Sequence, residues 1–76
     1  MYRLLYKPSC PYCMKVIRYL DENGLDHELI DSTNIPMTEL RRLPDLKNKK
    51  RITVPQIWFN EEYIGDSVQF FKHLRS

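Results

Sequence analysis

The sequence predicts an α/β fold whose elements run β-α-β-α-β-β-α. Three observations lead to this order. Short β-forming runs occur at Tyr2–Tyr6 and Val54–Phe59, apolar residues take helical spacing after Pro11 and again after Gly65, and turn-forming residues separate them. The first strand, Tyr2-Arg3-Leu4-Leu5-Tyr6, is stopped by Lys7-Pro8-Ser9. A helix follows from Pro11, with Cys13, Val16, Ile17 and Leu20 on its apolar face and Asn23-Gly24 as its stop. The alternating His27, Glu28, Leu29 and Ile30 make a short second strand, and Asp31–Asn34 a turn. Pro36 suits a first helical position ahead of Met37, Leu40 and Leu43, with Pro44 at or just past the end. After the polar, basic stretch Lys47–Arg51, the run Val54–Phe59 is strand-like apart from Pro55. A hairpin through Asn60-Glu61-Glu62 leads to Tyr63-Ile64. Beyond Gly65, Val68, Phe71 and Leu74, with Phe70 alongside, suit a closing helix lying on the sheet.

Size and composition narrow the function. Seventy-six residues support one domain, residues 1–76, and therefore one site. Such a chain buries only about 60% of the surface its unfolded form exposes, so its core must be economical. The composition, 42% hydrophobic and 29% charged, is that of a folded chain and not of a disordered one. A net charge of +2 does not call for nucleic acid as a partner, and no basic and aromatic interleaving marks a base-stacking groove. No apolar run approaches the roughly 20 residues of a membrane span. The opening MYRLLYKPSC lacks the apolar core and cleavage site of a secretory signal, so a cytoplasmic, reducing location is expected. Two cysteines are too few for a disulfide framework, and with only His27 and His73 beside them no metal site is expected.

The cysteines carry the chemistry. Cys10-Pro11-Tyr12-Cys13 stands between a strand and a helix, placing Cys10 near the N-cap. There the free N–H groups of the first turn and the positive end of the helix dipole favour thiolate over thiol. Pro11 removes an N–H the helix could not use and presets its own φ. Cysteines so placed have pKa values of roughly 3.5–7.5, against about 8.5 for a free thiol. Lys7, three residues upstream, adds a positive charge to the same turn. Cys13 comes one helical turn later with its sulfur turned inward. The spacing predicts that Cys10 attacks a disulfide and Cys13 resolves the mixed disulfide when that route is used. The alternative is a pair of buried structural cysteines.

Lys7-Pro-Ser-Cys10-Pro-Tyr-Cys13, then Thr53-Val54-Pro55-Gln56-Ile57, then Tyr63-Ile64-Gly65 resembles the glutaredoxins in motif, order and spacing over nearly the whole chain. The resemblance implies a thioredoxin-like fold with a mixed four-stranded β-sheet flanked by three helices, and a cis peptide between Val54 and Pro55. It implies an enzyme that reduces protein disulfides and glutathione mixed disulfides, with glutathione as co-substrate, ribonucleotide reductase a family-level partner, and a monomeric state. By position, Lys7 and Arg51 would meet the glycyl carboxylate of glutathione, Tyr12 would pack beside it, and Val54 would offer its backbone to the cysteinyl part. Thr53 and Pro55 on that side, and Gly65, Asp66 and Ser67 on the other, complete the implied substrate-binding set. For Lys7, Tyr12 and Arg51 the plainer alternative is a solvated side chain, and for Pro55 an edge-strand proline.

The likeness breaks at Gly65-Asp66-Ser67-Val68-Gln69, where many glutaredoxins carry a second glycine in place of Asp66 and an aspartate in place of Gln69. Two readings of Asp66 follow. It caps the closing helix with Gln69 at N3, an arrangement worth about 1 kcal/mol, or its carboxylate pairs with the ammonium of glutathione. The departure also keeps open a redoxin reduced by thioredoxin reductase. A binding role, two subunits holding an iron–sulfur cluster through Cys10 and glutathione, is opposed by Pro11.

Overall fold

The computed structural model describes residues 1–75; Ser76, the last position of the domain expected from sequence, lies outside the described residues. Four strands and three helices follow the expected order: β1 Tyr2–Tyr6, α1 Pro11–Glu22, β2 His27–Asp31, α2 Met37–Leu40, β3 Gln56–Phe59, β4 Glu62–Gly65 and α3 Ser67–Arg75. The strands form one mixed sheet in the order β2-β1-β3-β4. β1 pairs in parallel with β2 through the α1 crossover, with Leu4 opposite Leu29, and antiparallel with β3, with Leu4 opposite Ile57. β3 and β4 form an antiparallel hairpin.

Both faces of this sheet are covered, and the central strands show it. Leu4 and Ile57 point to one side, where α1 and α3 bring Val16, Leu20 and Phe70 against Tyr2. Leu5 and Trp58 point to the other, under Leu40 and Leu46. Side chains alternate across a strand, so consecutive apolar residues in β1 and β3 are the signature of a sheet buried on two faces. Burial of each such side chain stabilises the fold by about 1.5–3 kcal/mol.

Helix α1 ends as its sequence predicts. Gly24 has φ +61, with Leu25 N–H donating to the Leu20 carbonyl at 2.9 Å and Gly24 N–H to the Asp21 carbonyl at 3.2 Å. This pair of bonds is the Schellman closure, in which the left-handed residue is most readily glycine.

Four expectations need correction. Helix α2 begins at Met37, with Pro36 as its extended N-cap and not its first residue, and it stops at Leu40 without reaching Leu43. Pro44 has no N–H to give the Leu40 carbonyl, and a proline disfavours helical angles at the residue before it. The chain instead descends through i→i−3 turns, Leu43 to Leu40, Leu46 to Leu43 and Lys49 to Leu46. Pro44 and Asp45, the latter in the left-handed region (φ 67°), turn the chain so that Leu40, Leu43 and Leu46 all join the cluster around Trp58 although the α-helix has ended. Second, Val54 and Pro55 precede β3, which begins at Gln56. Third, Glu62 belongs to β4, leaving a two-residue hairpin loop of Asn60 (φ 50°) and Glu61 (φ 71°). Fourth, Val68 is not on the apolar stripe of α3. It is 59% exposed, and Ser67 and Phe70 are the buried residues of that helix. A helix face buried through Phe70 and, more partially, Leu74 turns a residue two positions before Phe70 to the opposite side.

Paired positive φ angles are those of a type I′ turn, which favours glycine in the second place. Glu61→Gly relieves a left-handed side chain at some cost in chain entropy, and is expected to stabilise the protein by roughly 0.5–1 kcal/mol. A rise in the urea midpoint at unchanged slope would register it.

Candidate active site

Cys10 is the N-cap of α1, in extended backbone conformation (φ −92°, ψ 112°), with Pro11 opening the helix. Its own N–H donates to the Lys7 carbonyl at 3.1 Å and its carbonyl accepts from Met14 N–H at 3.1 Å, so the turn from Lys7 and the first helical turn both hold it. Its sulfur accepts the N–H of Cys13 at 3.3 Å. This is the capping role that Ser or Asp ordinarily fills, here performed by sulfur at the positive end of the helix. On the other side the Cys10 thiol faces the Val54 carbonyl at 3.9 Å, and the Val54–Pro55 peptide is cis. Cys10 is half-buried and both cysteines are free.

Cys13 lies directly beneath. It is fully buried, 0% exposed. Burial first, then the hydrogen bond with Cys10, pushes its thiol from an ordinary 9.0 up to about 12. Two cysteines one helical turn apart thus have different surroundings, one half-buried with an N–H on its sulfur and one in the core.

A cleft of about 170 Å³ is lined by Lys7, Ser32, Ile35, Met37, Ile52 and Val54, among others, and so includes the two residues whose carbonyls face the Cys10 N–H and thiol. The structure therefore brings together Lys7, Cys10, Cys13 and Val54. Tyr12 is 66% exposed on the first turn of α1. Thr53 is exposed beside Val54, and Pro55 is buried. Arg51 is exposed in the loop before β3, and no salt bridge among the described residues includes it.

Gly65, Asp66 and Ser67 form the β4–α3 junction. Gly65 is buried with φ +121, and a Cβ there would meet the Gln69 side chain at 3.2 Å, so no larger residue fits without displacement. The Asp66 side chain accepts Gln69 N–H at 3.0 Å and its carbonyl accepts Phe70 N–H at 2.9 Å. Asp66 is the cap of α3, as the first of its two sequence readings holds. No hydrogen bond or ion pair among the described residues joins this junction to Cys10.

Sequence reasoning missed two features. Leu46, between Asp45 and Lys47, is fully buried under the basic loop. Gln56 is buried and ties Thr53 to Tyr63. A polar residue opening an apolar strand, two positions from Trp58 and so on the same face, was the available signal.

No group of three or more His, Cys, Asp or Glu among the described residues is placed to hold a metal ion. No helix of the described residues is long and apolar enough to cross a membrane.

A dithiol on a strand-to-helix turn, facing a cis-proline segment on a mixed sheet, defines a thioredoxin-like redoxin site. The sequence pattern of the glutaredoxin family matches residues 2–64, and the chain belongs to that family. It is 35% identical over 57 residues to glutaredoxin 1 of Rickettsia conorii, covering 75% of this chain and 55% of that protein. It is 39% identical over 57 residues to a Pseudomonas aeruginosa glutaredoxin, covering 74% and 63%. The chain thus spans little more than half the length of these relatives. The crystal structure of a buckwheat glutaredoxin–glutathione complex superposes with a TM-score of 0.77 over 97% of this chain and 67% of that one, at 20% identity. That likeness establishes the thioredoxin-like fold.

The raised affinity of the buried Cys13 thiol for its proton ties stability to pH. The native state holds this proton more tightly than the unfolded chain, so the stability it confers is whole below about pH 9 and is lost as pH rises toward about 12. In urea unfolding under reducing conditions, the stability gap between wild type and Cys13→Ala is expected to be constant from about pH 7 to about pH 8.5 and to shrink above about pH 9. A gap constant to pH 11 would contradict it.

Proposed function

We propose that the chain is a glutathione-dependent thiol–disulfide oxidoreductase acting on protein disulfides and glutathione mixed disulfides. The observation that carries this reading is the Cys10 sulfur, half-buried at the start of α1, receiving the Cys13 N–H and facing Val54.

In the reaction, the Cys10 thiolate attacks the glutathione sulfur of a mixed disulfide. The Cys10–glutathione bond forms as the old S–S bond breaks, and the substrate leaves as thiolate and takes up a proton. The first-turn N–H groups favour negative charge on Cys10 before attack and again when it departs. A second glutathione, as thiolate, attacks the bound glutathione sulfur, releasing oxidised glutathione and restoring Cys10. One glutathione thiol is oxidised for each substrate thiol released, because the glutathione first bound enters at the disulfide level and leaves at that level in oxidised glutathione. Protein disulfides admit a second route, in which Cys13 attacks Cys10 within a mixed disulfide and expels the partner's thiol. That attack forms the Cys10–Cys13 disulfide, which two glutathione thiols then reduce with release of oxidised glutathione.

Val54 offers backbone to the cysteinyl part of glutathione, and Lys7, beside it in the cleft, meets the glycyl carboxylate together with Arg51; Tyr12 covers the bound tripeptide. Thr53 and Pro55 shape that side of the site, and Gly65, Asp66 and Ser67 the other. Residues 1–76 act as one domain, a cytoplasmic monomer whose protein partners carry disulfides, ribonucleotide reductase among the candidates. One observation favours a second reading, electron supply by thioredoxin reductase: the Asp66 carboxylate is engaged by Gln69 N–H as a helix cap.

Turnover of a glutathione mixed disulfide with glutathione and its reductase tests donor and nucleophile together. Wild type and Cys13→Ser are expected to be active and Cys10→Ser to lose activity by a factor on the order of a thousand, the scale of removing a nucleophile. Activity coupled only to thioredoxin reductase would select the second reading, and an active Cys10→Ser would end both.

A further inference from the structure

Gln56 opens β3 with its side chain almost wholly buried, 3% exposed. Its amide N–H group donates to the Thr53 carbonyl at 2.9 Å and to the Thr53 hydroxyl at 3.3 Å, and its amide oxygen accepts the Tyr63 hydroxyl. Every buried side-chain polar atom among the described residues has a partner. Tyr63 is itself fixed on two sides, by the Trp58 ring at 5.8 Å between centroids and by the Lys49 ammonium 5.4 Å from its ring centre. Trp58 donates its indole N–H to the Pro44 carbonyl at 3.1 Å. A continuous line of bonded groups thus runs from the β4 strand through Gln56 to Thr53, the residue that immediately precedes Val54.

That placement matters because Thr53 and Val54 lie outside the strands and have no ladder to hold them. A buried apolar residue at position 56 would fill the core equally well. The amide instead grips backbone and side chain of one residue, the contact geometry of a clamp on a loop. We propose that Gln56 and Tyr63 are positioning residues, which fix the Thr53–Val54 backbone opposite Cys10 and thereby set the affinity for the thiol-bearing peptide substrate. The proposal rests on the reading in which Val54 meets the cysteinyl part of glutathione. Neither side chain touches the reacting sulfurs. Their effect is on binding, so it falls on KM and leaves the chemical step at Cys10 unchanged.

Tyr63→Phe removes the hydroxyl and keeps the ring in its packing, and Gln56→Met keeps the volume and removes both bonds to Thr53. Both are assayed for mixed-disulfide turnover, and their amide ¹H–¹⁵N spectra are recorded without ligand. The expected result is a KM for the glutathione mixed disulfide raised about two- to tenfold, the scale of one hydrogen bond, with kcat held within about twofold. The cross-peaks of Thr53 and Val54 move while those of Leu4 and Leu20 stay. Should Gln56→Met not fold, Tyr63→Phe alone decides. An unchanged KM in folded Tyr63→Phe overturns the proposal, even where its unfolding midpoint drops. Unmoved cross-peaks then place the fault in the clamp, and moved ones in the role given to Val54. Absence of turnover by the wild-type protein removes the underlying reading and the proposal with it.

Discussion

The sulfur of Cys10 occupies the place where a helix must find an acceptor for one of its free first-turn N–H groups, and the site depends on that substitution. Four N–H groups at a helix start have no partner within the helix. Here the Cys13 N–H is given to a sulfur, so the same bond that begins α1 also orients the reactive group. Pro11 supports the arrangement by supplying no N–H of its own and a φ already suited to the helix. The Lys7 carbonyl holds the Cys10 N–H from the opposite direction. Stability of the turn and presentation of the thiol are one and the same feature.

The fold supplies what that turn cannot. A helix start gives a charged sulfur one favourable side, while the opposite side is built from residues more than 40 positions away, with the Val54 carbonyl in reach of the thiol. The sheet brings the two together because β1, which leads into Cys10, pairs directly with β3, which follows Pro55. Covering both faces of these central strands with Val16, Leu20 and Phe70 on one side and Leu40 and Leu46 on the other fixes their register. The asymmetry between the cysteines follows from the same geometry. One helical turn carries the chain from the surface to the core, so Cys13 is buried and its proton retained while Cys10 stays approachable.

Much of this was legible in the sequence, and the losses have physical causes. The strand, stop and helix around Cys10 were readable because local chemistry decides them: Pro11 at the start and Gly24 at the end act through their own backbone. The cis peptide before Pro55 came only with the family likeness, since an X–Pro bond carries a prior of about 5–6% for the cis form. The spacing of Leu40 and Leu43 suits a continuing helix, and Pro44 ends α2 earlier than that spacing suggests. Val68, Phe71 and Leu74 share a spacing that suits a helical stripe, whereas packing buries Phe70 and leaves Val68 exposed. Leu46 and Gln56 were overlooked for a different reason. Leu46 is buried by residues distant in sequence, Trp58 among them, which no local pattern announces, whereas strand alternation puts Gln56 on the face of Trp58 without naming Tyr63 as its partner.

The account stands on unequal reactivity of two thiols three residues apart. Limited alkylation of the reduced protein with iodoacetamide near pH 7, followed by peptide mass spectrometry, reads it directly. Modification confined to Cys10, with Cys13 labelled only after unfolding, is the predicted result. Equal or faster labelling of Cys13 in the folded protein would contradict it.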